Sequence, residues 1–265
     1  MAARVRDRVA EADLVTVAAR GHVQLGPVAS LSRARSSPAG PDARRPNRAE
    51  AQVSEDVLSR SQTWDEVFAR TSAGERSWDG ADLSWSTDLL DRADPGHRSV
   101  VDIGCGESAL IEALIASRWQ EITLLDVSAV ALARVAQRLD AAGLATARVE
   151  LVAADLLDWQ PERTFTAWHD RAVLHFLTDP ADRAAYVRLA GRAVVPGGAL
   201  VLGGFAVDGP EKCSGQPVAR RSPEALAAEF AADFTCEDSW TRAHITPWEA
   251  EQSFTWVLLR RQARD

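Results

Sequence analysis

The stretch Ser99-Val100-Val101-Asp102-Ile103-Gly104-Cys105-Gly106 constrains this chain more than any other part of it. A short, mostly apolar run that stops at a glycine pair reads as a buried strand followed by a tight turn. A helical period follows at once, over residues 108–116. Gly104 and Gly106 let the backbone pass close to a ligand, and the start of a helix offers free N–H groups. Strand, glycine turn and helix in this order belong to α/β domains, where ligands bind beyond the carboxyl ends of the strands. By itself the glycine pair fits an ordinary βα turn or a nicotinamide site equally well.

The alternation continues along the chain. Residues 121–125 predict a second strand, closed by Asp126, and Ser128 can cap a helix running through Leu139. Residues 149–153 predict a third strand, followed by Asp155, and residues 164–168 a fourth that runs into His169-Asp170. A helix over 180–194, a turn at Pro196-Gly197-Gly198, a fifth strand over 199–205 and a helix opening at Ser222-Pro223 come next. Two closing strands are expected near 234–245 and 253–259. The pattern predicts an α/β, Rossmann-like fold: a mostly parallel sheet with helices on both faces.

Composition sets the outer limits. The chain has 265 residues and is 46% apolar, enough for one sizeable domain plus an extension. No apolar run approaches the roughly 20 residues that span a bilayer, so no membrane partner is expected. A net charge of −8 argues against non-specific nucleic-acid binding. Cys105, Cys213 and Cys236 share no metal-ligand spacing and suggest no disulfide framework, which fits a reducing cytoplasm. Residues 1–61 differ from the rest: ten arginines face seven acids, aromatics are absent, and Ser36-Ser37-Pro38-Ala39-Gly40-Pro41 interrupts them. They are expected to form a mostly disordered Arg-rich extension, with the folded domain over 62–265. Because Met1 is the only methionine, a native start further in, near Val53, is the competing expectation.

Three acids give the glycine loop its meaning. A carboxylate at Asp126 can accept both hydroxyls of a ribose, and one at Asp155 suits the amino group of adenine. Any one acid at a strand end is an ordinary turn or capping residue; Asp102, Asp126 and Asp155 on successive strands converge on one crevice. Val-Val-Asp-Ile-Gly-Cys-Gly, Leu-Leu-Asp-Val-Ser and Ala-Ala-Asp-Leu resemble motifs I, II and III of class I S-adenosylmethionine-dependent methyltransferases. Pro196-Gly197-Gly198-Ala199-Leu200 resembles the turn before that family's fifth strand. The resemblance covers about residues 64–261. It implies a seven-stranded sheet whose last strand is antiparallel, with S-adenosyl-L-methionine as cofactor. It also implies cofactor contacts from Asp102, Gly104, Cys105, Gly106, Asp126, Val127, Asp155, Leu156 and Asp170. Ser108 stands where motif I often has a third glycine, and a serine there can cap the next helix.

Further segments narrow the resemblance. Trp64-Asp65-Glu66, Ser77-Trp78, the run from Trp168 to Leu177, and Asp208-Gly209-Pro210-Glu211-Lys212-Cys213-Ser214-Gly215 resemble a bacterial group of methyltransferases of poorly defined substrate. A looser likeness points to thiol or sulfide S-methyltransferases that act on small molecules.

An activated methyl group asks the protein mainly to align a nucleophile and, where needed, to remove a proton. His175 is the candidate general base, with Asp170 to orient the cofactor ammonium or the substrate. A hydrogen-bonded helix histidine and an Asp–Arg ion pair are the blander readings of these two residues. His169 and Asp170 alternate on a strand, so only one of them faces the site. Trp64, Trp78, Arg171 and Phe176 are candidate substrate contacts, and the tryptophans can shield a sulfonium through their ring faces. Cys213 and Lys212 stand in the loop after the fifth strand. No metal cluster and no basic patch with interleaved aromatics is seen in the sequence. Three functions follow as expectations: methylation of a small molecule, possibly a thiol or sulfide; methylation of protein lysine; and, from another class, non-catalytic cofactor binding.

Overall fold

The computed structural model describes residues 60–263. A helix, α1, covers residues 60–70. It is followed by α2 (Ser84–Ala93), β1 (Ser99–Ile103), α3 (Leu110–Ala116), β2 (Glu121–Asp126), α4 (Ala129–Ala141) and β3 (Val149–Ala153). Then come β4 (Phe165–Arg171), α5 (Pro180–Ala193), β5 (Val194–Phe205), β6 (Lys212–Cys213), β7 (Gln216–Pro217), α6 (Pro223–Phe230), β8 (Phe234–Ile245) and β9 (Glu251–Arg261).

Seven strands form one sheet in the order β3-β2-β1-β4-β5-β9-β8. Pairs β3-β2, β2-β1, β1-β4 and β4-β5 are parallel, whereas β9 is antiparallel to both β5 and β8. The last strand is therefore the reversed one, as the resemblance implied. Two apolar clusters cover the two faces. Leu89 and Leu90 of α2, Leu110 and Leu114 of α3, and Leu132 and Val135 of α4 pack on Val100, Leu124 and Ala167. On the other face Tyr186 and Leu189 of α5 and Phe230 of α6 pack on Val101, Ile103, Trp168 and Leu202. Alternation of side chains along each strand sends successive residues into different clusters.

Helix starts follow the sequence signals. Ser128, Asp179 and Ser222 each accept a backbone N–H at the first turn of α4, α5 and α6. Four features departed from expectation. Neither α1 nor α2 was predicted; at α2 the apolar stripe is short, and the start signal is Asp82, which accepts the Ser84 amide at 3.0 Å. The small β6–β7 hairpin was not predicted either. Strand β5 begins at Val194 rather than 199: the turn at Gly197, with φ +77°, lies inside it, and the pairing with β4 shifts register between Phe165 and Ala167. The extension expected over 1–61 falls outside the described residues except for Arg60 and Ser61, which bond to the domain.

Candidate active site

A cavity of about 420 Å³ opens at the carboxyl ends of β1, β2 and β4, within the size range of small-molecule sites. The glycine loop forms its floor. Gly104 and Gly106 have φ of +62° and +51°, and a Cβ on Gly104 would lie 2.1 Å from Val173 Cγ2. The close approach that demands this glycine is therefore to the loop after β4. Cys105 lines the cavity but is a buried thiol whose pKa burial pushes well up, with Asp126 and Asp102 adding to the effect. Ser108 Oγ accepts from the Leu110 amide, so it supports the start of α3.

The strand-end acids converge as expected. Asp126 accepts from the Gly106 and Ser128 amides, each at 2.8 Å. Burial nevertheless raises its pKa to about 6, because desolvation outweighs those two hydrogen bonds. Asp155 accepts from the Leu157 amide at 2.8 Å and from Arg60 Nη1 at 3.2 Å. Arg60 also reaches Asp182 at 2.7 Å, so the start of α1 is pinned across Asp155. Val127 and Leu156 line the same wall.

Aromatic side chains roof the cavity. Trp64 on α1 stands edge-on to Phe176 and Trp78, with centroids 5.1 and 6.1 Å away. Arg76 holds this roof to the floor. Its guanidinium lies 5.1 Å from the Phe68 ring centre and donates to Asp79 and to Glu107 at 2.9 Å. Arg134 binds the other oxygen of Glu107, and Asp65 accepts from Ser128 Oγ at 2.6 Å. Arg171 lines the cavity and donates to the Trp78 carbonyl at 3.1 Å. Burial lowers its pKa, against the pull of Asp102 and Asp79. It makes no ion pair among the described residues.

Strand β4 corrects two expectations. His169 faces the cavity and Asp170 does not. In the register Asp102 pairs with His169 and Ile103 with Asp170, which puts Asp102 and His169 on the α2 face. His169 Nδ1 lies 2.7 Å from Asp102 Oδ1, and Nε2 lies 3.1 Å from Ser86 Oγ on α2. Asp170 is fully buried on the α5 face, where it accepts from Tyr186 Oη at 2.7 Å and from the Val173 amide at 2.8 Å. Burial raises its pKa to about 6. It braces the turn after β4 and does not line the cavity, so neither its catalytic nor its cofactor role is supported.

His175 lies behind the wall as well. It sits in the 3-10 turn Leu174–Phe176, its ring packed on Phe176 and Phe205, and it is not part of the cavity lining. Burial pushes its pKa down to about 3, so the imidazole is neutral and a weak proton acceptor. Cys213 does line the cavity, as a thiol that burial raises to about 11, while Lys212 is exposed on β6. Sequence reasoning missed Ser86, Arg60, Arg76 and Glu107. Ser86 carries no signal in a helix, and the ion pairs join segments far apart in the chain.

The domain is thus a Rossmann-like sheet with a reversed last strand and with Asp102, Asp126 and Asp155 at or just beyond the ends of three adjacent strands, all lining one cavity. That architecture is the one implied by the resemblance to class I S-adenosylmethionine-dependent methyltransferases. Residues 100–198 match the family model described as a methyltransferase domain. Over 115 residues it is 35% identical to an uncharacterized methyltransferase of Mycobacterium bovis, covering 43% of this chain and 54% of the relative. A Mycobacterium tuberculosis counterpart matches equally well. The chain therefore spans about half the length of the curated relatives it matches. Among solved structures, one described as the conversion of a disulfide bond into a thioacetal group during echinomycin biosynthesis is similar, with TM-score 0.62 and 23% identity. The match covers 78% of this chain and 94% of that one. The N-methyltransferase NodS from Bradyrhizobium japonicum in complex with S-adenosyl-l-homocysteine matches with TM-score 0.59 and 18% identity, over 75% and 98% of the two chains. The 1,6-didemethyltoxoflavin-N1-methyltransferase from Burkholderia thailandensis, with bound 1,6-didemethyltoxoflavin and S-adenosylhomocysteine, matches with TM-score 0.56 and 21% identity, over 86% and 95%. At these identities the structural likeness speaks to the fold.

Proposed function

We propose that this protein transfers a methyl group from S-adenosylmethionine to a small-molecule acceptor, with sulfur, as a thiol or sulfide, the foremost accepting atom. The observation that carries the reading is the cavity itself, with its glycine floor, Asp126 and Asp155 on one side and an aromatic roof on the other. The residues fit the cofactor. Asp126 is an acceptor-only carboxylate, when ionised, with lone pairs left over after its two backbone bonds, and it would take the ribose hydroxyls. Asp155 would take the adenine amino group, with Val127 and Leu156 against the base. Trp64 and Trp78 offer π faces to a sulfonium.

When bound, S-adenosylmethionine supplies a methyl group already activated by positive charge. What remains for this chain is to exclude water and to hold an acceptor in line. The roof of Trp64, Trp78 and Phe176 does the first. Arg171, without an ion-pair partner among the described residues, supplies positive charge to an anionic group in the same cavity. The size of the cavity and a roof tied down by Arg76 and Glu107 favour a small acceptor over a protein. The solved neighbour with bound 1,6-didemethyltoxoflavin gives the same direction.

The test is an acceptor screen with purified protein, reading S-adenosylhomocysteine release and methylated product together. Methylated thiols, sulfides or other metabolites are expected. Label entering large proteins of a lysate and no small molecule would contradict the reading.

A further inference from the structure

We propose that Ser86, His169 and Asp102 form a proton-accepting relay, and that the methyl acceptor is accordingly one that carries its own proton, a thiol or hydroxyl rather than a sulfide or tertiary amine. The inference rests on the methyl-transfer reading above and narrows its substrate class.

Three elements bring three polar side chains into line on one wall of the cavity. Ser86 comes from α2, His169 from β4 and Asp102 from β1, and all three line the cavity. Each is nearly shut off from bulk water, at 2%, 2% and 3% exposure. Asp102 Oδ1 lies 2.7 Å from His169 Nδ1, and His169 Nε2 lies 3.1 Å from Ser86 Oγ. An ionised carboxylate only accepts, so the ring hydrogen is on Nδ1. Nε2 is left as the acceptor, and the Ser86 hydroxyl donates to it. This is the order in which a carboxylate holds an imidazole in the tautomer that can take a proton and then stabilises the imidazolium. Arg171 lies two residues along β4 on the same face, and with Asp102 it is a charged group on this wall, while α2 contributes the neutral Ser86.

A wholly structural role would need no cavity. Thr166, Ser99 and Asp94 form such a staple at the other end of the same sheet, where Thr166 Oγ1 donates to Asp94 at 2.5 Å away from the cavity lining. The Ser86–His169–Asp102 line instead ends where an acceptor would sit. An X–H group placed there gives its proton to Nε2, directly or by passing it to Ser86 Oγ as Ser86 hands its own hydrogen on. The X–H bonding pair stays on X and is the pair that takes the methyl group. The sulfonium charge is lost in the transfer, and the proton leaves later from His169 to solvent, so charge balances. A sulfide or tertiary amine has no proton to give and would leave the relay idle.

The test has two arms. In the first, no cofactor is needed: 4-nitrophenol is added at a pH well below its own pKa, where the free probe is colourless and its anion yellow. The wild-type protein is expected to bind it as the anion, and His169→Asn to bind it mainly in the neutral form, with the yellow band at least tenfold weaker. A probe bound neutral by the wild type, bound as the anion by both proteins, or not bound at all, overturns the relay. In the second arm, phenylmethanethiol, which keeps its proton at neutral pH, is compared with its proton-free methyl thioether as acceptor in the presence of S-adenosylmethionine. His169→Asn is expected to slow methylation of the thiol at neutral pH by about 100-fold or more, the usual reach of general-base catalysis. Ser86→Ala, a smaller change kept as the second variant, should slow it as well. The loss should shrink as pH rises through the thiol's own ionisation, where the thiolate needs no base, an outcome that a purely structural defect would not give. Equal thiol rates in wild type and variants at neutral pH, a loss that does not change with pH, or wild-type turnover of the thioether alone, overturns the inference. Failure of the wild type to bind S-adenosylmethionine strikes the methyl-transfer reading instead, so the two failures are distinguishable.

Discussion

Gly104 shows how narrowly one residue can be fixed. Its φ of +62° is disfavoured for any side chain, and a Cβ would press on Val173 Cγ2. Gly104→Ala combines that backbone strain with an overpacked contact. It is expected to destabilise the domain by at least about 2 kcal/mol, read as a lower urea midpoint with an unchanged slope. Asp126 makes a pH prediction. Its folded pKa of about 6 stands above the ordinary value of 3.8. The group therefore favours the folded state most below pH 3.8, and that contribution is lost as pH rises through 6. In the proposed site ribose hydroxyls would donate to the ionised form, so cofactor affinity is expected to run the other way. Calorimetry should find binding about tenfold weaker at pH 5 than at pH 7.5, one unit of protonation being a factor of ten. An affinity that is flat over this interval would remove Asp126 from the cofactor site.

At the scale of elements, β4 divides two jobs between neighbours. Trp168 Nε1 donates to Tyr186 Oη at 2.8 Å, and Tyr186 donates to Asp170 at 2.7 Å, joining β4 to α5. Tyr186→Phe leaves the buried Trp168 N–H without a partner. A cost of about 1–3 kcal/mol is expected, seen as a lower melting temperature, with cofactor affinity unchanged. Weaker cofactor binding in this variant would return Asp170 to the site. The period of two told that His169 and Asp170 face opposite ways. It could not tell which one faces in, because that depends on which neighbours a strand pairs with, and Asp102 opposite His169 is a fact of register. The strand-end acids were legible for the opposite reason: each closes its own apolar run, so local sequence places it. Helix α1 gives a further prediction. Arg60 ties it to Asp155 and Asp182 with a side chain 38% exposed, an ion pair that water and salt weaken. Arg60→Ala should leave global stability within about 1 kcal/mol of wild type, while amide exchange over residues 61–70 quickens several-fold.

For the molecule as a whole, alternation of apolar runs predicted the layers, and the family resemblance predicted the reversed last strand. Neither carried the position of α2, which supplies Ser86 and covers β4 and β5. Its importance comes from packing between segments 80 residues or more apart in the chain, as in the 83-residue separation of Ser86 and His169. In the roof, Arg76 and Glu107 join a loop after α1 to the loop after β1 across a separation of 31 residues, again beyond the reach of local sequence patterns. Among the described residues no helix is long and apolar enough to cross a membrane, and no group of metal-ligating side chains occurs. The proposed function therefore rests on one cavity and on the cofactor it would hold. Its most direct test is calorimetric titration of S-adenosylmethionine into the wild-type protein and into Asp126→Ala. One molecule bound per chain is predicted, with affinity falling about tenfold or more in the variant, the loss expected for hydrogen bonds to a charged group. No binding by the wild type, or equal binding by both proteins, would contradict it.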